Sequence, residues 1–133
     1  MVLVVLLVLA LFVVQTILPG RFREAPAPGG PNKAAEALGT RDDLRPLTLL
    51  GQRALRALAN MQEAIPVFLA LALMNMIVAP MAALAVTGAW IFLAARIAYV
   101  VVYIAGVPVL RTLLWVVSWV GLVMMLMPLL DRI

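Results

Sequence analysis

Four long apolar stretches alternate with short polar breaks along the chain, and each is long enough for a helix that crosses a bilayer. Met1–Leu18 is apolar apart from Gln15 and Thr16, and Pro19-Gly20 closes it. Leu47–Ala79 contains no Gly or Pro except Gly51 and Pro66, so it reads as one helix that Pro66 bends. At 1.5 Å per residue it spans about 48 Å against a hydrocarbon core of about 30 Å. Its polar end, Leu47–Asn60, therefore protrudes. Pro80 marks a tight turn, and Ala82–Ala105 follows as a third span in which Arg96, Tyr99 and Tyr103 stand out. Gly106 and Pro108 make the next turn. Arg111–Leu130 is the fourth span, with Trp115 and Trp119 near its start and Asp131-Arg132 at its end.

The expected architecture is an all-α integral membrane protein. It is a four-transmembrane-helix bundle in a single domain over residues 1–133, with helices at about 1–18, 47–79, 82–105 and 111–130. Residues 19–46 differ in character: seven Pro and Gly residues between Pro26 and Pro46, mixed with charges of both signs, predict a loop. At most it holds a short helical turn around Ala34–Leu38. Asp42-Asp43 invites a metal reading, but a solvated pair in a polar loop is the simpler one. The first apolar run could also be a cleaved signal peptide. Such a peptide carries its positive charge before the apolar core, whereas Arg21 and Arg23 come after it, so a retained first helix is expected.

Composition supports the membrane assignment. The chain is 66% hydrophobic and 12% charged, with a mean hydropathy of +1.15. Soluble domains sit near half apolar and a quarter charged. There is no cysteine and no histidine, which excludes disulfides, thiol nucleophiles, the usual zinc ligands and histidine bases. The net charge of +4 flanks the spans rather than forming an aromatic-laced patch, so no nucleic-acid partner is expected. Arg21, Arg23, Lys33, Arg41, Arg45, Arg53 and Arg56 cluster after the first span, Arg111 follows the third, and the Pro80 turn carries no charge. The positive-inside rule then puts both basic connections in the cytoplasm and both termini on the non-cytoplasmic side.

The polar residues inside the spans are the candidates for chemistry. Arg53, Arg56, Asn60 and Glu63 are spaced three, four and three apart and share one helix face. Arg96, Tyr99 and Tyr103 do the same on the third span. Counted from Pro80, Glu63 matches Arg96 in depth, Asn60 matches Tyr99 and Arg56 matches Tyr103, so a Glu63–Arg96 contact, direct or through one water, is expected. Charge at membrane depth costs about 2.5–3.5 kcal/mol per residue on insertion scales and is usually paired or functional. Mutual neutralisation inside a bundle would explain two of these residues. It would not explain why Arg53, Arg56, Asn60, Tyr103 and Arg111 converge on one layer. Several cations with hydrogen-bonding tyrosines suit an anionic ligand bearing more than one carboxylate.

The combination Arg53-x-x-Arg56-Ala57-x-x-Asn60-x-x-Glu63-x-x-Pro66, followed by Arg96-x-x-Tyr99-x-x-x-Tyr103 and a basic residue opening the last span, resembles the MAPEG family. These are the membrane-associated proteins in eicosanoid and glutathione metabolism. The resemblance covers about Leu47–Leu130, and the run YIAGVPVLRTLLWVVSW looks most like bacterial members, hence an inner-membrane location. It implies a homotrimer of four-helix protomers in contact with membrane lipid. Glutathione would lie between subunits near the cytoplasmic face, where Arg53, Arg56, Asn60 and Glu63 hold its charged and amide groups and Arg96, Tyr99 and Tyr103 complete the pocket. Arg111 would face the sulfur, with Thr112 beside it, and Arg111 and Tyr103 would be the catalytic pair. Ala59 and Leu58 depart from polar residues found in some members, and helix one offers no charged ligand.

Three functions compete. One is a glutathione-dependent transferase or peroxidase acting on lipophilic electrophiles. Another is a non-catalytic binding or scaffold protein of the same architecture. The third is a small multidrug transporter with one intramembrane glutamate. A cation exporter would keep that glutamate free, whereas Glu63 has an arginine at its own depth.

Overall fold

The computed structural model describes residues 1–26, 28, 30, 38–39 and 44–132. They form four helices, α1 (Val2–Arg21), α2 (Leu49–Val78), α3 (Ala83–Ala105) and α4 (Pro108–Leu130). All four are long and apolar enough to cross a membrane, and no strand occurs among the described residues. The protein is an all-α, four-span integral membrane protein. Ala34–Ala37, where a helical turn was expected, and the Asp42-Asp43 pair lie outside the described residues.

Each helix boundary has a local cause. α1 runs through Pro19 to Arg21 rather than stopping at Pro19-Gly20, because a proline in the last turn gives up only one backbone bond. The chain then doubles back onto the start of α2. Phe22 carbonyl accepts from both the Thr48 amide (2.9 Å) and the Thr48 hydroxyl (2.8 Å), and the Glu24 amide donates to Pro46 carbonyl at 3.1 Å. Arg45 Nη1 donates to Glu24 carbonyl at 2.6 Å, and Arg23 Nη1 donates to Arg45 carbonyl. The two ends of the long loop are thereby stitched together at the membrane surface. Thr48 then caps α2, its hydroxyl oxygen accepting from the Gly51 amide at 3.3 Å. α2 passes Pro66 as one continuous helix. Pro108 occupies the first turn of α4, where its missing amide hydrogen costs nothing.

α3 and α4 form the most extensively packed pair, and α1 packs chiefly on α2. The core holds Val4 and Val8 of α1, Met61, Ala64, Ile65, Phe68 and Ala72 of α2, Ala89, Phe92 and Leu93 of α3, and Leu122 and Met125 of α4. Phe68 and Phe92 stack at its centre, ring centroids 4.7 Å apart and planes 14° from parallel. Towards the end away from the basic loop, Asn75 ties α2 to α4. Its Nδ2 donates to Met125 carbonyl at 2.8 Å and to Leu71 carbonyl at 2.9 Å.

The α3–α4 crossing depends on two glycines. A Cβ on Gly88 would lie 2.5 Å from Gly121 carbonyl oxygen, and one on Gly121 would lie 2.6 Å from Gly88 carbonyl oxygen and 2.9 Å from Phe92 nitrogen. Backbone meets backbone there, so neither atom can yield. Small residues at helix contacts in lipid serve this purpose, since close van der Waals packing is a main source of association. Gly121→Ala is expected to destabilise the protein in detergent by about 1–3 kcal/mol, the usual cost of overpacking. Gly20→Ala, with nothing within 4 Å of the new methyl, is the matched control and should leave the thermal midpoint unchanged or slightly raised. Equal midpoints for the two variants would refute the backbone-contact account.

Candidate functional site

The polar face of α2 is graded by its angle from the buried stripe. Ala54, Ala57, Leu58, Met61, Ala64, Ile65 and Phe68 are buried and define that stripe's centre near Met61. At 100° per residue, Arg53 and Asn60 lie about 80–100° from that centre, whereas Arg56 and Glu63 lie about 140–160° away. The surface follows this order: Arg53 and Asn60 are half-buried, Arg56 and Glu63 exposed. On α3 the polar residues sit inside the buried stripe instead. Arg96 and Tyr99 are buried and Tyr103 half-buried.

Arg96 is 1% exposed. Its Nη1 donates to Asn60 Oδ1 at 2.6 Å, while Nε and Nη2 find no hydrogen-bond acceptor. The guanidinium lies over two aromatic faces, 5.2 Å from the Phe92 centroid and 5.6 Å from that of Tyr99. Ring quadrupoles attract a cation at this range, more strongly where water is excluded. Among the described residues no direct Glu63–Arg96 ion pair forms, although the Glu63 carboxylate lies near enough for its charge to act on Arg96. Counting residues from Pro80 matched depth but not direction, and Glu63 points away on the outer side of α2 while Asn60 flanks the buried stripe.

Beyond Arg96 the aromatic series continues towards the basic end. Tyr99 and Tyr103 meet edge to face, centroids 5.4 Å apart. Arg111, reaching back from the first turn of α4, places its guanidinium 4.9 Å from the Tyr103 centroid. Tyr103 and Arg111 stand between two cavities. The first, of about 290 Å³, is lined by Tyr99, Tyr103, Arg111, Thr112 and Trp115. The second, of about 320 Å³, is lined by Arg53, Arg56, Tyr103, Gly106, Val107, Pro108 and Arg111. Both are at the small end of the range for small-molecule sites.

The second cavity therefore gathers three permanent cations at the N-terminus of α4. No side chain caps that terminus, and its first-turn amides add partial positive charge. Acceptors with dispersed negative charge are what such a donor set attracts. Thr112 contributes less than its position suggests, because its hydroxyl donates back to Pro108 carbonyl at 3.1 Å.

The sequence-derived candidates thus divide. Arg53, Arg56, Tyr103 and Arg111 converge on one cavity, and Tyr99 and Thr112 join Tyr103 and Arg111 on the other. Asn60, Glu63 and Arg96 line neither cavity. Sequence reasoning missed Trp115 as a wall and Gly106, Val107 and Pro108 as a floor. Trp115 follows Arg111 by one helical turn, a spacing that would have marked it. No group of three or more potential metal ligands occurs among the described residues, which do not include Asp42 and Asp43.

Asn60 supplies the one hydrogen bond that Arg96 makes, so Asn60→Leu should cost about 1.5–3 kcal/mol, as for loss of a bond to a charged group. Adding Arg96→Met should recover part of this, since an unpaired buried cation is then removed. Glu63→Gln should cost clearly less than Asn60→Leu. Thermal unfolding of the four proteins in one detergent checks the order. A Glu63→Gln loss as large as that of Asn60→Leu would mean that the ion pair forms after all.

No curated protein and no solved structure matches the chain. A model of the MAPEG family matches residues 1–130, from the first residue of the chain to the last of α4. With four membrane-spanning helices and this polar layer, the chain belongs to the MAPEG family, whose members include glutathione transferases.

Proposed function

We propose that the protein binds glutathione at the basic end of the bundle and presents its sulfur, as thiolate, to lipophilic electrophiles dissolved in the bilayer. This is a transferase- or peroxidase-type activity within the family. The observation that carries it is the cavity in which Arg53, Arg56 and Arg111 surround Tyr103 at the start of α4. Glutathione has two carboxylates, an ammonium, two amides and a thiol. Arginine forks match carboxylates in a bidentate manner, so Arg56 suits one of the peptide's acidic ends. Glu63, exposed on the same face of α2, suits its ammonium. Asn60 keeps an amide donor after accepting from Arg96. Arg96 works from behind, holding Asn60 and lying against Tyr99.

When bound, glutathione supplies a thiol whose pKa in water is about 8.5 and whose thiolate is the nucleophile. Arg111 and Tyr103 line both cavities, so a permanent charge and a phenol able to donate a hydrogen bond are at hand to favour the ionised sulfur there. Trp115 and Tyr99 line the neighbouring cavity beside Arg111 and Thr112, and their ring faces offer an apolar partner arriving from lipid a surface to pack on.

Assembly as a homotrimer belongs to the same proposal. Arg56 and Glu63 are exposed on the protomer at or near membrane depth, where an uncovered charge is costly, and a neighbouring subunit would cover them. The basic end faces the cytoplasm and both termini lie on the opposite side, by the arginine distribution.

Two measurements test this. Titration of glutathione into the detergent-purified protein should give saturable binding and thiolate absorbance near neutral pH. Arg111→Ala should lower that absorbance and any conjugation rate by about tenfold to a thousandfold, as for loss of one charge-stabilising donor, with a smaller loss of affinity. Absence of both binding and thiolate in the wild-type protein would leave a non-catalytic scaffold as the function. For orientation, a reporter fused after Ile133 should be active only outside the cytoplasm. A cytoplasmically active fusion would invert the topology.

A further inference from the structure

The turn between α3 and α4 positions the two residues at the junction of the cavities. Tyr103 is in the last turn of α3 and Arg111 in the first turn of α4, so their 4.9 Å contact crosses it. Residues 105–110 are all exposed, so packing does not hold them in place. The turn closes on itself by a Schellman arrangement. The Gly106 amide donates to Tyr103 carbonyl at 3.1 Å and to Val102 carbonyl at 3.0 Å, and the Val107 amide donates to Val102 carbonyl at 3.3 Å. Gly106 adopts φ +81°, which a side chain would oppose.

Those bonds satisfy Val102 and Tyr103 and leave the carbonyl of Ile104 over. Arg53 takes it: Nη1 donates to Ile104 carbonyl oxygen at 3.0 Å, across 51 residues of sequence. The guanidinium also lies directly on Gly106. A Cβ there would come within 2.5–2.7 Å of Arg53 Nη1, Cζ and Nη2. Among the described residues this is the only hydrogen bond from α2 into the turn. A cation at a helix C-terminus also meets the negative end of its dipole.

We propose that Arg53 is a positioning residue. It clamps the α3–α4 turn to α2 and thereby holds Arg111 against Tyr103, rather than serving chiefly as a fork for the ligand's carboxylates. The glycine at position 106 is then required twice, for its backbone conformation and for the flat seat it gives the guanidinium. Arg56 and Arg111 remain the cations free to meet an anion. The ligand part of this proposal rests on the glutathione reading above, while the clamp itself does not.

Two arms of one experiment separate these. In the first, hydrogen exchange by mass spectrometry compares wild type, Arg53→Gln and Gly106→Ala in the same detergent, with no ligand present. Peptides spanning residues 104–112 should exchange roughly tenfold faster in both variants, while peptides from the Met61–Phe68 core change little. Arg53→Lys, which can reach the carbonyl but cannot lie flat on Gly106, should restore part of the protection. Unchanged exchange at residues 104–112 would overturn the clamp. In the second arm, the pH midpoint of thiolate formation is measured at saturating glutathione, the thiol proton going to bulk water. Both variants should raise the midpoint by about one pH unit, a tenfold smaller thiolate fraction well below it, with Kd altered less than about threefold. Gly106→Ala is informative because it removes no charge and no cavity side chain. A large rise in Kd with an unmoved midpoint, confined to Arg53→Gln, would make Arg53 a direct ligand contact instead. Absence of glutathione binding by the wild-type protein would sink the ligand assignment alone, and the exchange arm would still decide the clamp.

Discussion

A guanidinium that cannot lose its proton sits inside the bundle, and much of the surrounding arrangement answers to it. Arg96 is almost wholly buried, yet it has one neutral hydrogen-bond partner, Asn60, and two ring faces, those of Phe92 and Tyr99. An arginine facing lipid at that depth would cost several kcal/mol, so the interior is the less costly place for it. The ring it shares with the core makes the connection rigid. Phe92 stacks on Phe68 in the middle of the apolar cluster and carries Arg96 on the same residue. From there Tyr99, Tyr103 and Arg111 follow as one chain of aromatic and cationic contacts to the basic end. A displacement of the core at Phe92 would reach Tyr99 through two contacts, and one at Phe68 through three.

The same constraint explains what was legible in the sequence. Four apolar runs, punctuated by Pro19-Gly20, Pro80 and Gly106-Val-Pro108, mark out four helices, because lipid leaves a spanning chain no alternative to satisfying its own backbone. Two polar faces and an arginine after the last turn were enough to bring Arg53, Arg56, Tyr103 and Arg111 together. Partner choice was not legible. Depth can be counted from a turn, but direction depends on where the buried stripe of α2 lies. The small residues Ala54, Ala57 and Ala64 mark that stripe, and measuring from them puts Asn60 on the flank and Glu63 on the outer side. Carbonyls left over at a helix end were also illegible, since Ile104's partner lies in another helix and no local pattern names it.

Glycines divide the labour between the two ends of the α3–α4 pair. At one end Gly88 and Gly121 let two backbones touch, which sets how closely the helices approach. At the other, Gly106 lets the chain reverse and seats Arg53. Between them the helices are rigid rods about six turns long, so closeness at one end and the turn at the other leave little freedom in how Arg111 faces Tyr103. The site is therefore built on helical elements at both sides, with only the exposed turn between them needing a separate tether.

That division bears on how a site at a membrane surface can be both open and ordered. The cavity of Arg53, Arg56 and Arg111 has an exposed floor at Gly106, Val107 and Pro108, as the proposed water-soluble, charged ligand would require. The neighbouring cavity, lined by Trp115 and Tyr99 as well as Tyr103 and Arg111, is where the same proposal puts the apolar partner. Burial is the usual way to order a chain, and the turn at this end lacks it. Hydrogen bonds to backbone carbonyls replace it. Arg53 on Ile104, Thr48 on Phe22 and Arg45 on Glu24 each fix an exposed strand of chain at the basic end through a carbonyl rather than a side chain. Such bonds tolerate changes in the residues that supply the carbonyl, but not in the donors. The arginines of this end thus fall into two sets, those that hold the backbone and those left facing the cavity. Arg56 and Arg111 belong to the second.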